Sequence, residues 1–299
     1  MKNSFPIEVS PNGGICLGDQ FVCDGFRHNV PFRIQSHVHD DHMKDWSISK
    51  GYQEIYMTPA TFALLVAELN ADLAIRQNLH QLNIGEWLNI SDCKVRLESS
   101  CHMLGAAQVC VELESGTRVG YSGDFSWPLS DPIEVEALVL DSTNGSPRKV
   151  REYDESEADE AFAELLFTQI KHGSVYLKAH RGTMHRALQV MSTEKELTIL
   201  ASKKRKREIE VFRKFGFPIP NVIDRKSDEG IQLAKSSHCV HLYSKGDGQI
   251  PDPRSGFSTI LLSAYFTNNR SPVNEYSTNS HCIATVSYTH LTLPTILLV

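Results

Sequence analysis

The sequence predicts an α/β protein with two textures, on three observations. The first 140 residues read as short strands broken by turns. From about residue 150, strands and amphipathic helices alternate at the spacing of a parallel α/β module. Within the first stretch, clusters of His and Asp stand at the carboxyl ends of strands, as layered α/β sandwiches place their chemistry.

In chain order, "GGICLGDQFVCDG" sets Ile15–Leu17 and Phe21–Cys23 on either side of Gly-Asp, a hairpin pattern. "PFRIQSH" is a brief apolar strand that ends where the histidines begin. "TPATFALLVAEL" (58–69) has a Thr-Pro start and helical apolar spacing. "CKVRLESS", "AQVCVELES" and "TRVGYSGD" alternate apolar and polar residues, as half-buried strands do. "EALVLDST" is a continuous apolar run, which predicts a fully buried strand. "DESEADEAFAELLFTQIKHG" is a helix with an acidic first turn and a His-Gly stop. Strand "SVYLKAH", helix "GTMHRALQVMS", strand "ELTILAS", basic helix "KKRKREIEVFRKFG" and strand "HCVHLYS" follow. The domain junction is expected near 150, and no internal repeat is present.

Composition narrows the function. Of 299 residues, 41% are hydrophobic and 22% charged, enough for a sizeable core. Asp and Glu outnumber Lys and Arg by 36 to 30, so no global basic field draws in nucleic acid. A nuclease with a local positive groove stays open. "KKRKRE" (203–208) offers either phosphate contacts or a solvated helix face. The start "MKNSFPIEVS" lacks a signal-peptide pattern, and no apolar run is long enough for a membrane span. Seven cysteines without framework spacing suit a reducing, cytoplasmic setting. Cys101, beside His102, reads as a small residue packed against its neighbour or as a zinc ligand. "VSYTHLTLPT" (286–295) looks like a translated sequencing adapter, so 286–299 is set aside as an added tail and the natural C-terminal part is expected to be missing.

The chemistry concentrates in "SHVHDDH" (36–42). Alternate residues at a strand end point the same way, so His37 and His39 can face one cation. Asp41 and His42 enter the following turn and can serve a second. Imidazole with carboxylate suits zinc, iron or manganese. A polar surface loop is the bland alternative, and three histidines in six residues speak against it. "CHMLGAAQV" (101–109) adds His102, with Gly105 allowing a tight turn. "YSGDF" (121–125) adds Asp124 at a strand end, where Gly123 lets the backbone approach closely.

Together and in this order, these segments resemble the metallo-β-lactamase superfamily. The resemblance implies His37, His39 and His102 on one metal, Asp41 and His42 on the other, and Asp124 bridging both. Two divalent ions, zinc or manganese, would share a hydroxide whose formation they favour, with Asp41 also orienting it as a catalytic residue. Asp24, in "FVCDGF", resembles the family's early aspartate, a hydrogen-bonding support for the ligands. "HVHDDHMKDW" and "IYMTPATFALL" resemble Artemis-like DNA cross-link repair nucleases. "CHMLGAAQV" and "YSGDF" are similar to β-CASP nucleases in general, ligase-associated exonucleases included. "LVLDSTNGSP" (138–147) resembles the first β-CASP motif and would make Asp141 its catalytic acid, although Asn144 stands where many members carry Tyr. "GSVYLKAHRGTMHRALQVM" resembles the strand-turn-helix of the β-CASP cap, and the likeness fades after Met191.

The implied fold is an αββα metallo-β-lactamase sandwich with a β-CASP-type α/β cap and an incomplete C-terminal part. Its implied division is 1–150 for the half with the metal site, 151–245 for the cap, 246–285 for the start of a return into the sandwich, and 286–299 for the tail. Of the family's two late histidines, His241 or His238 is the candidate for the first place and His281 or a residue of the missing tail for the second, the alternative being ordinary buried-strand or surface histidines. The implied function is a cytoplasmic nuclease, an exonuclease by its nearest resemblance, acting on DNA or RNA without membrane contact. By resemblance alone, a DNA ligase or helicase is a partner. The rival readings are a small-molecule hydrolase of lactonase or thioesterase type and an inactive nucleic-acid-binding relative.

Overall fold

The computed structural model describes residues 6–69, 71–126, 128–142, 151–194, 196–236, 238–250, 257–263, 270–277 and 280–284. The chain is an α/β protein with six α-helices among these residues. It divides into two compact units, whose described residues run from 6 to 142 and from 151 to 284. The adapter-like tail and Asn144 lie outside the described residues.

The first unit holds two sheets. Strands β1 (Ile7–Val9), β2 (Ile15–Leu17), β3 (Phe21–Cys23), β4 (Phe32–Ile34), β5 (Glu54–Met57) and β6 (Leu79–Gln81) lie side by side in chain order. The first three pair antiparallel and the rest parallel. The second sheet runs β7 (Trp87–Ile90), β8 (Cys93–Ser99), β9 (Ala107–Glu112), β10 (Arg118–Tyr121) and β11 (Ala137–Val139). One core joins the sheets: Leu17, Phe21 and Ile34 from the first pack with Val95, Leu97, Val109 and Val119 from the second. At roughly 1.5–3 kcal/mol for each large apolar side chain withdrawn from water, this shared face is the unit's main cohesive contact.

Two strands differ from the sequence expectation. Segment "EALVLDST" forms β11, a half-buried edge strand with Leu138 38% exposed. It pairs parallel with β10 and has no described neighbour on its other side, so its apolar run does not mean burial. Strand β9 is buried on both faces instead. Its Gln108 side chain donates to the Asp131 carbonyl and accepts from the Ile133 N–H, which fixes a covering segment over the sheet. The sequence reading also passed over β1, β5, β6 and β7, short strands that lack a long alternating pattern.

Helix α1 (Trp46–Tyr52) follows the His-rich segment, and α2 (Pro59–Glu68) follows β5. Thr58 caps α2 by accepting from the Thr61 N–H, and Pro59 occupies the first turn, where no N–H is needed. The Thr58 and Thr61 hydroxyls also donate to the Gly105 carbonyl, at 2.8 and 2.9 Å. The cap of one helix therefore holds the loop that carries His102.

In the second unit, chain order gives α3 (Glu155–His172), β12 (Val175–Lys178), α4 (Arg181–Met191), β13 (Thr198–Ala201), α5 (Lys203–Lys214), β14 (Asn221–Asp224), α6 (Asp228–Ser236), β15 (Val240–Tyr243), β16 (Ser258–Ser263), β17 (Val273–Ser277) and β18 (Ser280–Ala284). These strands form one sheet in the order β14-β13-β15-β12-β16-β18-β17, parallel throughout except for β17 against β18. Asp154 and Glu157 start α3 with a reciprocal capping box. The stretch 246–285, expected to return to the sandwich, supplies β16 to β18 to this sheet instead, because β16 pairs in register with β12. The basic run of α5 is not wholly a surface feature: Arg205 is buried against Glu208, with Asp247 3.6 Å away. The helical i, i+3 spacing turns that one cation inward while Lys203 and Arg207 face solvent.

Gly105 has φ +82, and a Cβ there would lie 2.6 Å from the Thr61 backbone nitrogen. Left-handed backbone costs an alanine about 1–2 kcal/mol before any clash. Gly105→Ala should therefore lower unfolding free energy by at least ~2 kcal/mol. Urea denaturation of the two proteins checks this, and an unchanged midpoint would contradict it.

Candidate metal centre

Each side chain of the centre stands just beyond a strand end. His37 and His39 follow β4; Asp41 and His42 lie in a 3-10 turn (Asp40–His42) directly after them. His102 sits in the turn between β8 and β9, and Asp124 follows β10. The two loops are tied by the backbone, since the Ala107 N–H donates to the Ser36 carbonyl. Gly123, at φ +56, lets Asp124 approach: a Cβ there would lie 2.8 Å from the Ala107 carbonyl oxygen.

One nitrogen each from His37, His39 and His102 and an oxygen from Asp124 lie within 4.8 Å of one another. His39 Nδ1 is 3.0 Å from His37 Nε2 and 3.2 Å from His102 Nε2. Zinc–nitrogen bonds of 2.0–2.1 Å at tetrahedral angles separate ligand nitrogens by about 3.3 Å. Asp124 Oδ2 is 3.4 Å from His102 Nε2, 3.7 Å from His37 Nε2 and 4.0 Å from His39 Nδ1. The donor set and its spacing fit a transition-metal ion. The other Asp124 oxygen, Oδ1, lies 3.1 Å from His42 Nε2, so one carboxylate faces both the three-histidine cluster and His42.

Asp24 fixes the proton positions behind the centre. It is 4% exposed and adopts φ 54, an uncommon conformation for a residue with a Cβ. Its carboxylate accepts from the Ser36 N–H, the Ser36 hydroxyl and His42 Nδ1, the last at 2.7 Å. Because the Ser36 hydroxyl gives its proton to Asp24, it must accept from His37 Nδ1, 2.9 Å away. His37 Nε2 is thereby left with a lone pair aimed at the cluster.

Charge follows the same logic. Burial and the neighbouring histidines hold His37 well below the usual histidine range, so it stays neutral. Burial opposes charge on His42, but the hydrogen bonds it donates to Asp124 and Asp24 outweigh it and raise its pKa to about 11. Burial would likewise raise Asp124, yet His39 and His42 hold it far below the carboxylate range. An ion entering beside His42 must displace a proton, so its uptake is pH-linked.

A second set of converging donors is Asp24, His37 and His42. The remaining residues of interest lie in less convergent places. The Asp41 side chain is 73% exposed, its Oδ2 3.9 Å from His42 Nε2, and it is in neither group. Asp141 stands after β11 with its N–H donating to Ser122 Oγ, and its carboxylate is in neither group. Cys101 is exposed at φ 55 and its thiol is outside both groups, so it is neither packed nor a ligand here. In the second unit, exposed His238 bonds the Ile170 carbonyl, while His241 is buried against the Tyr176 and Phe257 rings and His281 is buried in β18. Ser36, Arg33 and Gln35 were not singled out in the sequence. Ser36 adjoins a histidine, which is weak as a signal, and the other two read as ordinary strand residues.

No family model matches the chain. An uncharacterized protein in the lig 3′ region of Acidianus ambivalens is 28% identical over 155 residues, 51% of this chain and 95% of that protein. The DNA cross-link repair protein SNM1 of Arabidopsis thaliana is 28% identical over 142 residues, 44% of this chain. An RNase J-like protein of Methanocaldococcus jannaschii is 28% identical over 139 residues, 40% of this chain. The matches span only 29% and 32% of those last two relatives. A crystal structure of a protein of unknown function from Enterococcus faecalis V583 aligns with 87% of this chain and 70% of its own, with a TM-score of 0.55 and 10% identity, a likeness of fold alone. The sequence relatives support placement in the metallo-β-lactamase/β-CASP superfamily. Among the described residues, no helix is long and apolar enough to cross a membrane.

Two outcomes are expected. Ser36→Ala removes the acceptor that sets the His37 tautomer and should weaken zinc binding by at least ~10-fold, the low end for a group supporting a ligand. Because binding expels the His42 proton, affinity should rise about tenfold per pH unit between pH 6 and 8 and fall as pH drops. Competition titrations against a chromophoric chelator measure both.

Proposed function

We propose that the chain is a metal-dependent nuclease of the β-CASP branch that hydrolyses phosphodiester bonds in DNA or RNA. The observation that carries this reading is the convergence of His37, His39, His102 and Asp124, with His42 held between Asp124 and Asp24. Names among the relatives, a DNA cross-link repair protein and an RNase J-like protein, support nucleic acid as the substrate class. In this reading the first unit is the metal-binding half of an αββα sandwich and the second unit is the cap.

His37, His39 and His102 would hold one ion and His42 with Asp41 a second, zinc or manganese, with Asp124 shared between them. When bound, such ions supply an activated water at neutral pH and neutralise charge on phosphoryl oxygens. Asp24 and Ser36 keep His37 and His42 in ligand orientation. The exposed Asp41 carboxylate would turn toward His42 and orient the attacking water, and Asp141 would serve as a second acid. Lys203 and Arg207, on the solvent side of α5, are available for phosphate contacts.

Purified protein reconstituted with zinc or manganese should carry up to two ions and cut end-labelled DNA or RNA. Fewer than one ion after reconstitution, or metal without cleavage of any single- or double-stranded substrate, would overturn the reading. Asp41→Asn should cut single-turnover cleavage by at least ~100-fold. Its melting curve should stay put, because the Asp41 side chain is mostly in solvent. Near-wild-type cleavage would remove Asp41 from the mechanism.

A further inference from the structure

Arg33 is fully buried in β4, four residues before His37. A buried guanidinium is costly unless its protons are used. Here each of the five N–H groups has an acceptor. Nε and one Nη2 proton go to Gln35 Oε1, at 3.0 and 2.7 Å. The second Nη2 proton goes to the His42 carbonyl, at 3.0 Å. The Nη1 protons go to the Lys44 carbonyl and Ser49 Oγ, both at 2.9 Å. Gln35 passes the contact on: its Nε2 donates to the His37 carbonyl at 2.6 Å and to the His42 carbonyl at 3.0 Å. The Trp46 ring lies 5.2 Å from the guanidinium and walls off the network.

All five Arg33 protons and all of the Gln35 amide are therefore committed, and their backbone targets are His37, His42 and Lys44. Those carbonyls belong to the segment bearing four of the six expected ligands. We infer that Arg33 and Gln35 are positioning residues, a rigid two-part clamp that sets where the His37 and His42 imidazoles stand. The inference rests on the metal-binding reading for its consequence, though the clamp itself acts in the metal-free protein. Arg33 touches neither substrate nor ligand imidazole; it acts only through the loop backbone.

Gln35→Met removes both amide donors while preserving side-chain length. Arg33→Lys keeps the charge but replaces the planar five-proton fork with three rotatable donors. Ser49→Ala is the control, since it removes an Arg33 acceptor on α1 and leaves the loop carbonyls untouched. The full chain of each variant is titrated with Co(II) and with zinc against a chelator. Amide hydrogen exchange over residues 37–44 is followed without metal.

Gln35→Met should weaken zinc binding by about 10- to 100-fold and alter the Co(II) absorption envelope, the usual scale for losing a group that supports a ligand. It should also speed exchange in the loop, with Arg33→Lys following it in both readouts. Ser49→Ala should keep the wild-type cobalt spectrum whatever it does to the melting temperature. Wild-type cobalt spectra and loop exchange in both clamp variants would overturn the inference. If Gln35→Met does not fold, Arg33→Lys alone decides it by the same two readouts. Should the wild-type protein bind no metal, the functional reading fails, and the exchange rates still decide whether the clamp holds the loop.

Discussion

Everything at the candidate centre hangs on a carboxylate that has been taken out of water. Asp24 accepts three hydrogen bonds, and through them dictates where two separate imidazoles keep their protons. A buried carboxylate left short of donors would cost several kcal/mol, so the loop from Ser36 to His42 must fold around it. That demand explains the left-handed backbone at Asp24, which turns the side chain from the end of β3 toward the next strand. It also explains why Ser36, a residue with no evident role in sequence, becomes the relay between Asp24 and His37.

The division between what was legible in sequence and what was not follows from range. The His-x-His-x-Asp-His run reveals itself because its members are adjacent and strand periodicity aims two of them together. Gly105 and Gly123 were legible as backbone devices, and both have positive φ where a Cβ would strike backbone. The pairing of His42 with Asp24, eighteen residues away, needs the β3–β4 register before it can be seen. The clamp by Arg33 was hidden because an arginine in a strand ordinarily points to solvent.

The misreadings have a common cause, which is that pattern does not report neighbours. The apolar run at β11 looked buried, yet a strand's burial depends on what pairs and stacks beside it. The basic run of α5 looked like one surface, yet a helix rotates its third residue, Arg205, toward Glu208 and Asp247. The stretch 246–285 was expected to start a return into the sandwich, and its strands β16 to β18 lie beside β12 instead, because strand propensity carries no information about which sheet a strand joins.

The tie between the His39 and His102 loops has a further consequence. Expected ligands come from the ends of strands in both sheets of the first unit: His37 after β4 in one, His102 and Asp124 around β9 and β10 in the other. An ion held by all of them would act as a cross-link between the sheets, closing a loop that starts at residue 37 and ends at residue 124. Closing a loop of that length removes conformational freedom chiefly from the unfolded chain. The stability of this unit would then depend on free metal concentration as directly as on its apolar core. Separating the sheets would require release of the ion, so unfolding of this unit would slow as free metal rises.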